Sequence, residues 1–197
     1  WVPSAVQMLK DKAETHPFEG VTRISPCLGS VLFQYDPDRT DREKLRAEIA
    51  KLLETRDWHN AKPQAASRVW QVPVAFGGAH GPDLNEVAKL SGLTPEAVVH
   101  DIAQSPLHVL AIGFAPGQPY LGLLPEAFDL PRMSALNPQV PQGAIALAVR
   151  QLVLFANASP TGWRQVARTA FRPFRPESDE PMPLQAGDEM RLIAVSG

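Results

Sequence analysis

The chain has 197 residues, of which 44% are hydrophobic and 20% are charged, a composition typical of a globular protein with one large domain or two small ones. Its net charge is −2 and its basic residues are scattered, which excludes the strongly cationic face expected of a nucleic-acid binder. No apolar run approaches the roughly 18 residues that a membrane-spanning helix needs. We therefore expect neither nucleic acid nor membrane among the partners.

The ends and the cysteine content add two expectations. Trp1 has no methionine before it and leads almost directly into a helical pattern, so we expect a trimmed or incomplete N-terminus. Cys27 is the only cysteine, which excludes an intrachain disulfide and a cysteine-rich zinc site. A single cysteine also points to a reducing compartment, and we expect a cytoplasmic protein.

The first third of the chain reads as helix, strand, strand, helix. Ser4–His16 has helical spacing, and the stretches "GVTRISP" and "GSVLFQYDP" alternate like strands. The second helix, predicted over 40–58, begins at a capping box of Thr40 and Glu43 and carries its leucines and isoleucine on one face. This order predicts a small α/β subdomain over residues 1–66, a ferredoxin-like sandwich whose first strand is missing.

The polar, small-residue stretch 60–67 is the predicted domain boundary. After it come a strand, "RVWQVPVAF", and two short helices, the first capped by Asp83 and the second by Thr94 with Pro95 at its first position. From Leu107 onward only strands and Pro/Gly turns remain. The sequence thus predicts an α+β protein in which residues 67–197 form a closed barrel of mostly antiparallel strands.

The familiar catalytic and metal motifs are missing from the sequence. There is no HExxH, no G-x-S-x-G and no phosphate-binding G-x-x-x-x-G-K-[ST]. Cys27 fits a buried structural thiol better than a nucleophile. We therefore predict no metal site and assign no catalytic residue.

Two stretches are more informative. In "GFAPGQPYLGLLP", Gly113–Pro125, Pro116 and Pro119 restrict the backbone while Gly117 allows an angle that other residues resist, so the stretch is predicted to be a rigid loop that shapes a cavity. In "SPTGWRQVART", a Pro/Gly turn presents Trp163, and Arg168 follows on a strand from which it can clamp a carboxylate or phosphate. An exposed, solvated Arg168 is the equally weighted alternative.

Several blocks occur in a recognisable order: "HPFEGVTRISPCLGSVLFQYDP", "VPVAFGGAHGPDL", "GFAPGQPYLGLL", "VPQGAIAL", "SPTGWRQVART" and "LQAGDEMRLIAV". Together they resemble the bacterial family of the B-type subunit of 5-oxoprolinase, also called allophanate hydrolase subunit 1 or the kinase inhibitor KipI family, which is related to a domain of urea carboxylase. The resemblance covers nearly the whole chain.

The resemblance implies an N-terminal α/β subdomain and a C-terminal cyclophilin-like barrel. It also implies a complex with a homologous C-type barrel protein and a third oxoprolinase subunit. That complex opens the lactam of 5-oxoproline to glutamate at the expense of ATP, its cosubstrate, which this chain or its partners bind. The residues implied for a substrate- or nucleotide-binding pocket are Gly113, Phe114, Pro116, Gly117, Pro119, Tyr120, Arg132, Pro160, Gly162, Trp163, Arg168 and Thr169.

The chain departs from the family pattern at several of these blocks. Gln118 stands where the family usually has phenylalanine, Leu123 where it has glycine, and a family histidine is lost near Ala103. Arginines usual near positions 133, 137 and 139 are Met, Asn and Gln. The departures favour an alternative, a non-catalytic KipI-like inhibitor of a sensor histidine kinase, whereas the retained pocket residues favour a component of an enzyme complex that is inactive alone.

Overall fold

The computed structural model describes residues 2–55, 57–60, 66 and 68–196. The chain divides into two compact units, residues 1–65 and 66–197. The predicted linker lies, apart from Asn60 and Ala66, outside the described residues, and its role as a domain boundary stays a prediction.

The N-terminal unit has the element order that the sequence predicts. It consists of α1 (Val2–Thr15), β1 (Val21–Pro26), β2 (Val31–Tyr35), α2 (Arg42–Leu53) and a single 3-10 turn, Trp58–Asn60. The two strands pair antiparallel, and α1 packs on both of them. Val6 and Ala13 of α1 and Leu45 of α2 are buried, because they are the apolar positions at helical spacing.

Three local predictions for this unit are wrong. Helix α2 ends at Leu53, short of the predicted residue 58. Its N-cap is Asp41, whose carboxylate accepts a hydrogen bond from the Lys44 backbone N–H at 2.8 Å, so Thr40 is not the cap. Cys27 is exposed because it lies in the connection between β1 and β2, where nothing in the described part of the chain covers it.

The capping geometry makes a first prediction. Replacing Asp41 by alanine removes the acceptor for the first turn of α2, and we expect the free energy of unfolding of the N-terminal unit to fall by about 1 kcal/mol. Urea denaturation followed by far-UV circular dichroism measures the change. Asp38→Ala is the matched control, since the exposed Asp38 side chain bonds to nothing in the described part of the chain. Equal losses from both variants would contradict the assignment of the cap.

The C-terminal unit is a closed seven-stranded barrel, as predicted. The barrel strands are β3 (Val69–Phe76), β4 (Leu107–Ile112), β5 (Pro119–Gly122), β7 (Ala144–Ala148), β8 (Gln151–Leu154), β10 (Arg164–Arg168) and β11 (Glu189–Val195). Around the barrel they lie in the order β10-β3-β11-β4-β5-β8-β7, and β7 pairs with β10 to close it. All neighbours are antiparallel except β3 and β11, which run parallel.

Two short strands, β6 (Asn137–Val140) and β9 (Ser159–Thr161), form a separate antiparallel pair beside the barrel. Two helices, α3 (Leu84–Ser91) and α4 (Pro95–Gln104), pack against β10 and β11 respectively. Their apolar faces join a core that the barrel strands supply with alternating aliphatic residues. The barrel interior is thus filled by side chains, and a ligand site has to lie at its surface.

The two helix starts differ from each other. Thr94 caps α4 as predicted, since its hydroxyl accepts from the Ala97 N–H at 3.2 Å. Asp83 occupies the N-cap position of α3 as predicted, but its side chain makes no capping hydrogen bond. Its carboxylate instead accepts the Gln165 N–H at 2.7 Å, because β10 runs within reach of this turn.

Candidate functional site

The stretch Gly113–Pro125 is only partly a loop. Residues 113–118 form the turn between β4 and β5, and Pro119–Gly122 is a barrel strand that pairs with β8. The turn is closed by backbone hydrogen bonds from Gly113 N–H to the Gln118 carbonyl at 3.0 Å and from Gln118 N–H to the Ala115 carbonyl at 3.1 Å. The prediction of a dozen-residue loop is therefore wrong for 119–122.

Gly117 has the positive φ that the sequence predicts, +71°. A Cβ atom at this position would lie 2.4 Å from the Pro173 carbonyl oxygen, so the turn packs directly on the 173–174 backbone. Phe114, in the same turn, has a φ of +69° and is 77% exposed. A non-glycine residue in this region carries a conformational cost, which the surrounding structure has to offset.

A cavity of about 190 Å³ opens beside this turn, between β5, β8 and the segments that precede β6 and β10. Its walls combine aromatic and aliphatic side chains with a few polar groups, the composition expected of a small-molecule site. The lining residues are Phe114, Gln118, Tyr120, Arg132, Leu136, Val153, Phe155, Pro160, Thr161, Gly162 and Trp163.

Tyr120 and Trp163 form the aromatic wall of the cavity. Their ring centroids are 6.1 Å apart with the planes at 71°, an edge-to-face pair of ordinary geometry. Trp163 follows the turn after β9, and its backbone N–H donates to the Thr161 hydroxyl at 3.1 Å. The buried Trp163 ring is thus fixed before any ligand arrives.

Arg132 places a cation over that wall. Its guanidinium carbon lies 5.4 Å from the Trp163 ring centroid, within the range of a cation–π contact. Within the described part of the chain, no carboxylate pairs with Arg132. Arg164, by contrast, binds Glu86 at 2.8 Å and is part of the structural core. Arg132 is therefore available to a ligand.

Gln118 supplies a second polar group. Its side chain is 1% exposed, and Oε1 accepts the Ala156 backbone N–H at 3.4 Å. The amide nitrogen Nε2 makes no hydrogen bond to any residue that the structure describes. The cavity wall therefore contains an amide donor that has no acceptor among the described residues.

Half of the twelve residues predicted for the pocket line this cavity. They are Phe114, Tyr120, Arg132, Pro160, Gly162 and Trp163. Gly113, Pro116, Gly117 and Pro119 lie in the adjoining turn or at the start of β5 without lining the cavity.

Arg168 and Thr169 lie elsewhere. Arg168 is exposed at the end of β10, where its Nε donates to the Gln142 carbonyl at 3.3 Å. The Thr169 hydroxyl donates to the Pro73 carbonyl at 2.7 Å and accepts the Phe171 N–H at 3.0 Å, so it is used in the fold. Tyr120 shares the cavity with Trp163 and not with Arg168.

Sequence reasoning misses five lining residues: Gln118, Leu136, Val153, Phe155 and Thr161. Gln118 and Thr161 stand inside the two quoted motifs, where Gln118 registers only as a departure from the family pattern and Thr161 only as a turn residue. Val153 and Phe155 read as ordinary strand residues, and only the pairing of β5 with β8 brings them to the cavity. Nothing in the sequence around Leu136 signals its position.

The described residues, with gaps at 56, 61–65 and 67, contain no group of three or more His, Cys, Asp or Glu side chains placed to share a metal ion. Among the same residues, no helix is both long and apolar enough to cross a membrane. Neither observation assigns a function.

Comparison with known proteins links the sequence to one group. Residues 2–184 match the family model of the carboxyltransferase domain, subdomain C and D. The chain is 29% identical to the B-type subunit of 5-oxoprolinase from Bacillus subtilis, over 93% of this chain and 79% of that protein. It is 37% identical to the B-type subunit of 5-oxoprolinase from Escherichia coli O157:H7, over 77% of this chain and 69% of that protein.

Solved structures show the same fold within longer chains. TTHA0988 superposes with a TM-score of 0.78 at 28% identity, over 99% of this chain but 37% of its own. The Kluyveromyces lactis urea carboxylase superposes with a TM-score of 0.73 at 17% identity, over 99% of this chain and 20% of its own, which shows a shared fold alone. The chain thus spans little more than a third of the first of these polypeptides and a fifth of the second.

Proposed function

This chain belongs to the family of B-type 5-oxoprolinase subunits, and from that membership we propose that it is one component of an ATP-dependent complex that opens 5-oxoproline to glutamate. The names of its relatives support this proposal over the alternative of a sensor-histidine-kinase inhibitor. The observation in the structure that supports it is the cavity lined by Tyr120, Trp163 and Arg132, which offers a fixed aromatic wall and an unpaired cation to a small anionic molecule.

The chemistry explains why such a complex consumes ATP. A lactam carbonyl is a poor electrophile, and phosphorylation of its oxygen would create a leaving group. Stabilising the charge that develops and excluding water matter more for this reaction than a strong nucleophile does. A site for it therefore needs placed donors and shielding from water, and this chain contributes Arg132 and Gln118 as donors at the cavity.

The size of the cavity favours substrate over nucleotide as its occupant. About 190 Å³ is below the range of roughly 300–1,000 Å³ of pockets that enclose drug-sized ligands. A compact ring such as 5-oxoproline suits that volume, and ATP, several times larger, does not. In this proposal the cavity holds the lactam, and ATP binds in the complex outside it.

The partners in this proposal are the homologous C-type barrel protein and a third oxoprolinase subunit, all in the cytoplasm. The same fold occurs within a polypeptide of which it covers only 37%, as expected for a unit that works beside others.

The proposal predicts that the purified full-length protein hydrolyses no ATP in response to 5-oxoproline. Because this proposal has the cavity hold the lactam while ATP binds elsewhere in the complex, we expect activity to appear when both partner proteins are added. A coupled ADP-release assay with and without 5-oxoproline measures this. The same assay on each partner alone gives the background hydrolysis. Robust activity from this chain by itself, or none from the full complex, would contradict the proposal.

A further inference from the structure

We infer that the cavity selects a small carboxylate that also bears a carbonyl oxygen, with Arg132 binding the carboxylate and the Gln118 amide nitrogen donating to the carbonyl. This deepens the proposed function, on which it rests for the choice of 5-oxoproline as the probe. The residue roles themselves come from the geometry and charge of the cavity.

The charge of the lining supports an anion. Among the residues that line the cavity, Arg132 is the only ionised group, and no Asp or Glu accompanies it. The other arginines near this region have partners of their own: Arg164 pairs with Glu86, and Arg150 donates to the Leu124 carbonyl at 2.8 Å. An anion entering the cavity therefore meets one uncompensated cation and no like charge.

Arg132 suits a carboxylate better than a spherical anion. A guanidinium is planar and presents paired N–H donors that match the two oxygens of a carboxylate. Its position over the Trp163 ring restricts the guanidinium without using its donors, since a cation–π contact leaves the N–H groups free.

Gln118 adds the second requirement. Because this amide N–H has no acceptor among the described residues, a ligand that supplies one gains a hydrogen bond that a ligand without an acceptor does not. The Ala156 N–H already occupies Oε1 and fixes the amide orientation, which leaves Nε2 as a donor. The ligand group opposite Nε2 must therefore be an acceptor such as a carbonyl oxygen.

The remaining walls set the shape. Val153, Phe155 and Pro160 are apolar and the cavity is small, so the part of the ligand between its two polar groups must be compact and apolar. A five-membered ring that carries a carboxylate and a ring carbonyl meets all three conditions.

Titration calorimetry of the full-length protein with three probes tests the inference. The probes are 5-oxoproline, pyrrolidin-2-one, which lacks the carboxylate, and cyclopentanecarboxylate, which lacks the carbonyl. We expect 5-oxoproline to bind at least about tenfold more tightly than either. Arg132→Gln should weaken the affinity for 5-oxoproline by at least about tenfold and leave the affinity for pyrrolidin-2-one unchanged.

A second variant tests the amide. Gln118→Glu keeps the side-chain size and the acceptor for Ala156 but replaces the donor with a negative charge. Because the carbonyl loses its donor, we expect Gln118→Glu to weaken the affinity for both carbonyl-bearing probes, 5-oxoproline and pyrrolidin-2-one, by at least about tenfold. Arg191→Gln is the matched control, an exposed arginine on β11 whose Nε binds Glu189, and it should leave all three affinities unchanged.

The inference is overturned if 5-oxoproline does not bind, if it binds no better than pyrrolidin-2-one, or if Arg132→Gln has no effect. These titrations use neither ATP nor partner proteins. Selective binding by a protein whose complex lacks oxoprolinase activity would refute the proposed function only. An active complex that is insensitive to Arg132→Gln would refute this inference only.

Discussion

Replacing Asp188 by alanine is expected to lower the free energy of unfolding of the barrel by about 3 kcal/mol, because it leaves the hydrogen-bond donors around its carboxylate without their acceptor. The Asp188 side chain is fully buried. Its carboxylate accepts two hydrogen bonds from Arg68, at 3.0 and 2.7 Å, and one from the Trp70 ring nitrogen at 3.1 Å. It also accepts the Gln185 N–H at 2.9 Å.

These bonds lie at the start of the parallel pair of β3 and β11. Arg68 immediately precedes β3 and Trp70 is its second residue, while Asp188 immediately precedes β11. The hydrogen bond to Asp188 raises the pKa of Arg68 above its ordinary value. A raised arginine pKa contributes stability that is fully present at every pH below the pKa of arginine in the unfolded chain, which lies far above neutral, so this contribution should not change between neutral pH and about pH 10.

Urea denaturation monitored by tryptophan fluorescence measures the loss, and Glu180→Ala is the control. Glu180 contacts the same Arg68 at 3.7 Å, but it is exposed, and exposed pairs contribute at most about 1 kcal/mol. If Glu180→Ala lowers the free energy of unfolding as much as Asp188→Ala does, the buried Asp188 carboxylate does not hold the strand pair together.

The sequence predicts the elements of this fold better than their arrangement. Both N-terminal helices and both strands, the two helices after β3 and the long barrel strands follow from local periodicity. The parallel pairing of β3 with β11 does not, because it joins residues about 120 positions apart that share no local signal. The strands β6 and β9 are missed since each has three or four residues and contains a proline.

In the candidate site, too, the sequence predicts the residue types better than their arrangement. The aromatic residues of the two motifs are identifiable from sequence, and the structure places Tyr120 against Trp163. The sequence leaves two equal readings of Arg168, a cation that binds a ligand and an exposed, solvated side chain. In the structure Arg168 is exposed, donates to the Gln142 carbonyl and does not line the cavity. Arg132, from a segment without regular structure, lies over Trp163.

Gln118 illustrates why a departure from a family pattern is hard to interpret from sequence. The loss of phenylalanine, taken alone, suggests weakened function. In the structure the glutamine side chain lines the cavity and brings an amide donor to it, so the replacement changes the chemistry of the cavity wall. Only the partner of Oε1 and the burial of the side chain distinguish these two interpretations.

The turn between β4 and β5 makes the last prediction. Gly117→Ala should lower the free energy of unfolding by about 2–4 kcal/mol. Its φ of +71° costs an L-residue about 1–2 kcal/mol, and the new Cβ, 2.4 Å from the Pro173 carbonyl oxygen, has to displace backbone. Because Phe114 and Gln118 of the same turn line the cavity, the displacement should also weaken binding of 5-oxoproline to the full-length protein by at least about tenfold.

Gly113→Ala is the matched control within the same turn, since its φ is not in the left-handed region and its Cβ would meet nothing within 4 Å. We expect that variant to stay within about 0.5 kcal/mol of the parent protein and to bind with unchanged affinity. Denaturation and calorimetry on both variants separate two roles for the turn. If Gly117→Ala is destabilised but binds as the parent does, the turn only closes the end of the barrel. If stability and binding fall together while Gly113→Ala changes neither, the packing of the turn on residues 173–174 holds the Gln118 donor in place.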